Sequence, residues 1–177
     1  PFWLSRLAHF LEDETRPYDA DNRGKDVRLV LGLSVPGNRS FTLDLMSPLG
    51  PRQVIQHALQ GRGISPLVGY LKSHRGPCLQ SHVESRHIRD FNPGGMRRLW
   101  ANAASVLEAR PAISGLFGSS WLFDPDLKSI SPHLSFLYDD ALANGAFLIH
   151  QGTGAHYDAL ASYRSPERRA LIEAGTY

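Results

Sequence analysis

The densest gathering of side chains able to do chemistry is Gln80-Ser81-His82-Val83-Glu84-Ser85-Arg86-His87. Read as a strand, its period of two puts His82, Glu84 and Arg86 on one face, with Ser81, Val83, Ser85 and His87 on the other. An imidazole, a carboxylate and a guanidinium in a row are costly to bury unless they find partners. Such a strand lies either at a wet edge, with a Glu84–Arg86 surface contact, or along a functional cleft. The cleft is the expectation, because the flanking segments read as packed interior. There Glu84, together with His82, would take a proton from an attacking amine or hydroxyl, and Arg86 would bind substrate.

A metal site is the rival reading of the same residues. His82-x-Glu84-x-x-His87 holds two histidines and a carboxylate. On a strand His82 and His87 face opposite ways, and on a helix five residues turn them roughly 140° apart. Neither matches the i, i+4 spacing of zinc-binding helices. A metal-dependent enzyme would therefore need His82 and Glu84 plus a remote histidine, His133, His150 or His156. No bound metal is expected. A third reading is a non-catalytic interaction module whose polar strand is an exposed edge open to β-augmentation.

Two further segments supply candidate binding groups. Gly115-Leu116-Phe117-Gly118-Ser119-Ser120-Trp121-Leu122-Phe123-Asp124-Pro125 reads as a buried strand leading into a helix. Ligands bind at the carboxyl ends of parallel strands, so Ser119, Ser120 and Trp121 are expected to contact substrate. Those serines lie outside any Gly-x-Ser-x-Gly elbow, and Asp124 reads as a helix cap. Asn92-Pro93-Gly94-Gly95 opens a long helix directly after the polar strand. Backbone N–H groups at a helix start, beside glycine, suit an anion. Arg89, Asn92, Gly94, Gly95 and Arg97 are accordingly the expected holders of a phosphate-bearing ligand.

The elements that position these groups are marked by caps. Asn92-Pro93, Asp124-Pro125, Ser131-Pro132 and Ser165-Pro166 each place a capping oxygen before a proline, which has no N–H to leave unpaired at a first helical position. Helices are expected over 93–109, where Met96, Leu99, Trp100, Ala103, Val106 and Leu107 keep the helical period, and over 132–143. Shorter ones are expected at 1–13, 51–60 and 166–174. Strands are expected at 27–35 and 39–45, joined by Pro36-Gly37-Asn38, and at 78–88, 112–122 and 146–150. Residues 19–26 read as a polar loop. The result is a single α/β domain with a mixed sheet flanked by helices: an N-terminal helix and hairpin in 1–50, a βαβαβ core in 78–150 and a C-terminal helix.

Composition agrees with one soluble domain. The chain has 177 residues, 42% hydrophobic and 20% charged, which excludes disordered, collagenous and coiled-coil classes. No apolar run approaches the roughly 18–20 residues of a membrane span, and no targeting signal is expected. Its start at Pro1 is expected of a trimmed or processed sequence. Sixteen of the 19 basic residues are arginine, scattered rather than banded and not interleaved with aromatics. A small-molecule substrate is the expected partner, and nucleic acid is not. Cys78 stands alone, so no disulfide can form within the chain and a cytoplasmic, reducing location is expected.

The order strand 78–88, helix 93–109, strand 112–122, helix 132–143, strand 146–150 resembles the GNAT family of N-acetyltransferases. In that family a carboxylate on the fourth strand often acts as general base, and the following helix grips the pyrophosphate of coenzyme A. The resemblance implies an acyltransferase with Glu84 as base, residues 93–109 as the donor helix and acyl-coenzyme A as co-substrate, with no tightly bound cofactor. Tyr157 would then return a proton to the leaving thiol. The family's Arg/Gln-x-x-Gly-x-Gly/Ala loop is replaced here by Arg89-Asp90-Phe91-Asn92-Pro93-Gly94-Gly95.

Overall fold

The computed structural model describes residues 20–47, 51–60, 63–73, 76–84, 87–124, 127–149 and 165–173, with Leu4 and Leu49. In chain order these form α1 (Ala20–Val30), β1 (Ser34–Pro36), β2 (Phe41–Ser47), α2 (Pro51–Leu59), α3 (Ser65–Ser73) and β3 (Cys78–Val83). There follow α4 (Pro93–Ala109), β4 (Leu116–Gly118), a 3-10 turn (Trp121–Phe123), α5 (Leu127–Ile130), a second 3-10 turn (Pro132–Leu137), α6 (Asp139–Ala143) and α7 (Pro166–Glu173). The protein is α/β, with a four-stranded mixed sheet and helices. It divides into two compact units, Pro1–Pro48 with Arg75–Gly118 and Leu49–His74 with Ser119–Tyr177.

The first unit holds the sheet, in the order β1-β2-β3-β4. β1–β2 and β2–β3 are antiparallel, while β3 and β4 are parallel, with α4 in the connection between them. Strand alternation sorts the side chains into two faces. Phe41 pairs with Val83 and Leu43 with Ser81, and Phe41, Leu43, Leu45 and Leu79 are buried. Met96, Leu99 and Ala103 of α4 are buried as well, and a Cβ on Gly37 would meet both Leu99 and Leu43. This is the apolar core of the unit. Thr42, Asp44, Gln80 and His82 alternate with it and make the other face polar.

The β1–β2 hairpin turns through residues 37–40, as the Pro36-Gly37-Asn38 signal predicts. Asn38 organises it: its Oδ1 accepts from Ser40 N at 2.7 Å, and its Nδ2 donates to Gly95 O at 2.7 Å. The turn is thereby tied to the start of α4. That helix has the span expected from its period and caps. Asn92 Oδ1 accepts from Gly95 N at 2.9 Å, and Pro93 occupies the first turn. Replacing Asn92 with alanine is expected to lower stability by about 1 kcal/mol, read as a lower urea midpoint at unchanged slope.

Several expected elements take another form. Residues 20–30 are helical, whereas 19–26 read as loop and 27–35 as strand. Gly32, at φ 67°, ends α1: its N–H donates to Leu29 O and that of Leu33 to Arg28 O, a Schellman closure. Only Ser34–Pro36 of the expected strand remains, and the next strand, expected at 39–45, is Phe41–Ser47. β3 stops at Val83 instead of continuing to residue 88, because His87 N turns back to Glu84 O. β4 is three residues long rather than spanning 112–122, since Ile113 N closes a turn on Arg110 O and Ser120 starts the 3-10 turn.

In the second unit the expected helix 132–143 is broken into a 3-10 turn and α6, and Ser131 makes no side-chain cap bond. Residues 146–149 form no strand; Gly145, at φ 89°, closes α6 by the same Schellman pattern that ends α1. The βαβαβ core therefore reduces to β3–α4–β4. α2 and α7 fall where expected, and α3 begins at an unread Ser65-Pro66 signal. Here Tyr70 OH donates to Leu49 O at 3.2 Å, and Gly69 leaves room for the ring of Phe147. Lys128 Nζ pairs with Asp139 Oδ1 at 2.7 Å. The expected helix 1–13 lies outside the described residues, apart from Leu4. No described helix is long and apolar enough to cross a membrane.

Candidate functional site

The polar face of the sheet carries a cluster centred on Asp44. Its position follows from alternation: Phe41, Leu43 and Leu45 go to the core, so Thr42 and Asp44 go to the opposite side. Pairing then sets the neighbours. Ser34 stands opposite Asp44 on β1, Gln80 opposite Asp44 on β3, and His82 opposite Thr42. A carboxylate buried to this degree requires donors, and it has them. Asp44 Oδ1 accepts from Ser34 Oγ, and Oδ2 accepts from Arg28 Nη1, which α1 supplies from the helix flanking that face.

His82 is the third neighbour. Its Nε2 lies 3.2 Å from Asp44 Oδ2, within ion-pair range but off the hydrogen-bonding direction, so this buried nitrogen has no hydrogen bond. The imidazole keeps 32% of its side-chain surface exposed. Burial raises the Asp44 carboxyl, but the side chains of His82 and Ser34 and the charges of His82 and Arg28 outweigh it. The net effect holds Asp44 below the ordinary aspartate value. The arrangement is a carboxylate fixed in its ionised form against one edge of a half-exposed imidazole.

Glu84 follows β3 and has no exposed surface. Its backbone N–H still pairs across the sheet, with Ser40 O at 2.7 Å, and its side chain is engaged within the protein. His82 and Glu84 are thus two positions apart at the end of β3, the first reaching solvent and the second enclosed. Arg86, expected beside them, lies outside the described residues, as does Tyr157.

The loop after β3 and the first turn of α4 gather Arg89, Asn92, Gly94, Gly95 and Arg97, as the sequence places them. Their backbone groups are largely occupied. Pro93 has no N–H, Gly95 N goes to Asn92 Oδ1, and Met96 N goes to Asn92 O at 2.9 Å. The amide of Gly94 is left over. Gly95 has a packing reason to be glycine, since a Cβ there would stand 1.7 Å from Asp90 O. Arg89 and Arg97 are exposed, while Arg98 pairs with Asp90 at 2.8 Å. Asp90 also accepts from Arg39 N at 3.2 Å, which holds this loop to the hairpin turn.

Ser119, Ser120 and Trp121 belong to the second unit. Ser120 is committed locally: its Oγ accepts from Leu122 N at 3.2 Å and caps the 3-10 turn that Trp121 begins. Among the described residues no three or more histidine, cysteine and acidic side chains come together as metal ligands. His133 is described, and His150 and His156 are not. Cys78 is buried, with Sγ 3.7 Å from Ser114 Oγ.

Sequence reading singled out His82 but not Asp44, Ser34 or Arg28. The alternation Phe41-Thr42-Leu43-Asp44-Leu45 does mark Asp44 as a charge on a half-buried strand, which is a usable signal. Its partners come from three separate segments and appear only once the strands are in register. Comparison with protein-family models, with curated proteins and with solved structures finds no match, so the site's own geometry is what speaks to function.

Proposed function

We propose that this protein is an acyl-transferring enzyme in which His82, oriented by Asp44, is the proton acceptor. The observation that carries the reading is the ionised, buried carboxylate of Asp44 set against the half-exposed imidazole of His82. A proton on Nε2 sits on the ring edge that Asp44 Oδ2 approaches at 3.2 Å and leaves the Nδ1 lone pair to accept from an incoming amine or hydroxyl. The nucleophile then forms its bond to the acyl carbon, the carbon–sulfur bond of a thioester donor breaks, and the thiolate takes the proton that His82 accepted, which returns His82 to its starting form. The parallel β3–α4–β4 arrangement supports this class through the element order that the GNAT resemblance rests on. An acyl-coenzyme A donor would find the Gly94 amide and the exposed Arg89 and Arg97 at the start of α4.

This reading moves the base from Glu84 to His82 because Glu84 has no surface a substrate could reach. The test is release of free thiol from acetyl-coenzyme A against a panel of small amines and alcohols. Wild-type protein is expected to turn over, and His82→Gln to lose about 10²–10⁴-fold in kcat. Full turnover by a folded His82→Gln protein removes the base, and absence of thiol release with every acceptor removes the reaction class.

A further inference from the structure

Two cations of α1 converge on the polar face of the sheet, beside Asp44 and His82. Lys25 and Arg28 stand three residues apart on α1, hence on one side of that helix, and both reach the sheet beside His82. Lys25 Nζ donates to Val83 O at 3.1 Å, at the residue next to His82. Arg28 donates one N–H to Asp44, the same carboxylate oxygen that His82 approaches.

We infer that Lys25 and Arg28 together bind an oxyanion, a carboxylate or phosphate carried by the substrate, beside His82. A carbonyl satisfies one ammonium proton of Lys25 without cancelling its charge. Arg28 spends one of its five donors on Asp44 and keeps 56% of its side chain exposed, so its fork remains available. Among the described residues, Asp44 is the carboxylate that an ion pair joins to either of these cations. Asp44 thus pairs with Arg28, while Lys25 bonds to a carbonyl beside the imidazole. An oxyanion there would take charge-assisted hydrogen bonds from Lys25 and Arg28 and set the rest of the substrate beside His82.

This inference rests on His82 being the reactive group, and its test is one of binding, so the two can fail separately. The ring signals of His82 and the side-chain N–H of Arg28 are followed by NMR while sodium acetate or inorganic phosphate is added, with sodium chloride at matched ionic strength. Saturable shifts with at least one oxyanion and none with chloride are expected. Acetate alone assigns a carboxylate, phosphate alone a phosphate, and both the shared oxyanion chemistry. Lys25→Met, which touches no carboxylate, is expected to weaken the binding about tenfold, and Arg28→Gln at least as much. Absence of saturable shifts with either oxyanion overturns the site, as does unchanged affinity in Lys25→Met. Oxyanion binding without thiol release would leave this site standing and remove the transfer reaction; the reverse result would do the opposite.

Discussion

Gly95→Ala is expected to destabilise the protein by at least about 3 kcal/mol, while Gly94→Ala one position earlier changes stability by no more than about 1 kcal/mol. The difference lies in what each new methyl would meet. At Gly95 it would stand 1.7 Å from the carbonyl oxygen of Asp90, a backbone atom pinned from several sides. Asp90 N donates to Ser40 Oγ at 2.8 Å, and the Asp90 carboxylate holds Arg39 N and Arg98. Nothing there can yield without undoing the link between hairpin and helix. At Gly94 the nearest atoms are Asn92 Oδ1 at 3.3 Å and the mobile end of Arg98 at 3.6 Å. Small side-chain shifts accommodate the methyl, and the better helix propensity of alanine offsets them. Urea unfolding of the two variants in parallel gives the answer. Equal losses at both positions would mean that close backbone approach is not why the second glycine is there.

The second large effect belongs to Asp44. Asp44→Ala is expected to cost about 3 kcal/mol, because it removes the acceptor of a buried serine hydroxyl and of Arg28 and takes the carboxylate away from His82 Nε2. Asp44→Asn keeps the shape and loses the charge, so it separates packing from electrostatics. The folded-state pKa of Asp44 is depressed, so its ionised form stabilises the fold. That contribution is complete above the unfolded value of about 3.9 and is lost as pH falls through the lower folded value. Wild-type stability should therefore drop more steeply below about pH 4 than that of Asp44→Asn, which has no group to protonate there. Parallel acid limbs in the two proteins would show that the carboxylate is not held as described. If the proposed acyl transfer is the activity, the same variant should slow it through loss of orientation at His82, with a larger effect on kcat than on KM.

Elements with strong local determinants were legible in the sequence. α4 has a capping asparagine, a proline at its first position and an unbroken apolar period, and its bounds follow from those alone. The β1–β2 turn was legible for a similar reason. α1 was not: Val27, Leu29 and Val30 suggest a strand, and the polar stretch before them suggests a loop. What makes this segment helical is the combination of a glycine closure at Gly32 with the anchoring of Lys25 and Arg28 on a sheet face built from distant residues. β3 and β4 were placed correctly but read too long, since the turns that end them use backbone hydrogen bonds that carry no residue signature.

The candidate site divides along the same line. Composition and alternation were enough to place a strand with ionisable side chains within 78–88, where β3 spans Cys78–Val83, and to single out His82 among those able to do chemistry. They also identified Asn92-Pro93 as a helix start and excluded a classical zinc helix. All of this is local, fixed by the period of two and by capping stereochemistry. Which carboxylate serves His82 is a different kind of fact. Glu84 is two residues away, just past the end of the same strand, yet it is enclosed, while Asp44 comes from a strand nearly forty positions earlier. The strand register and the approach of α1 decide that pairing, because they alone determine which charges share a desolvated face.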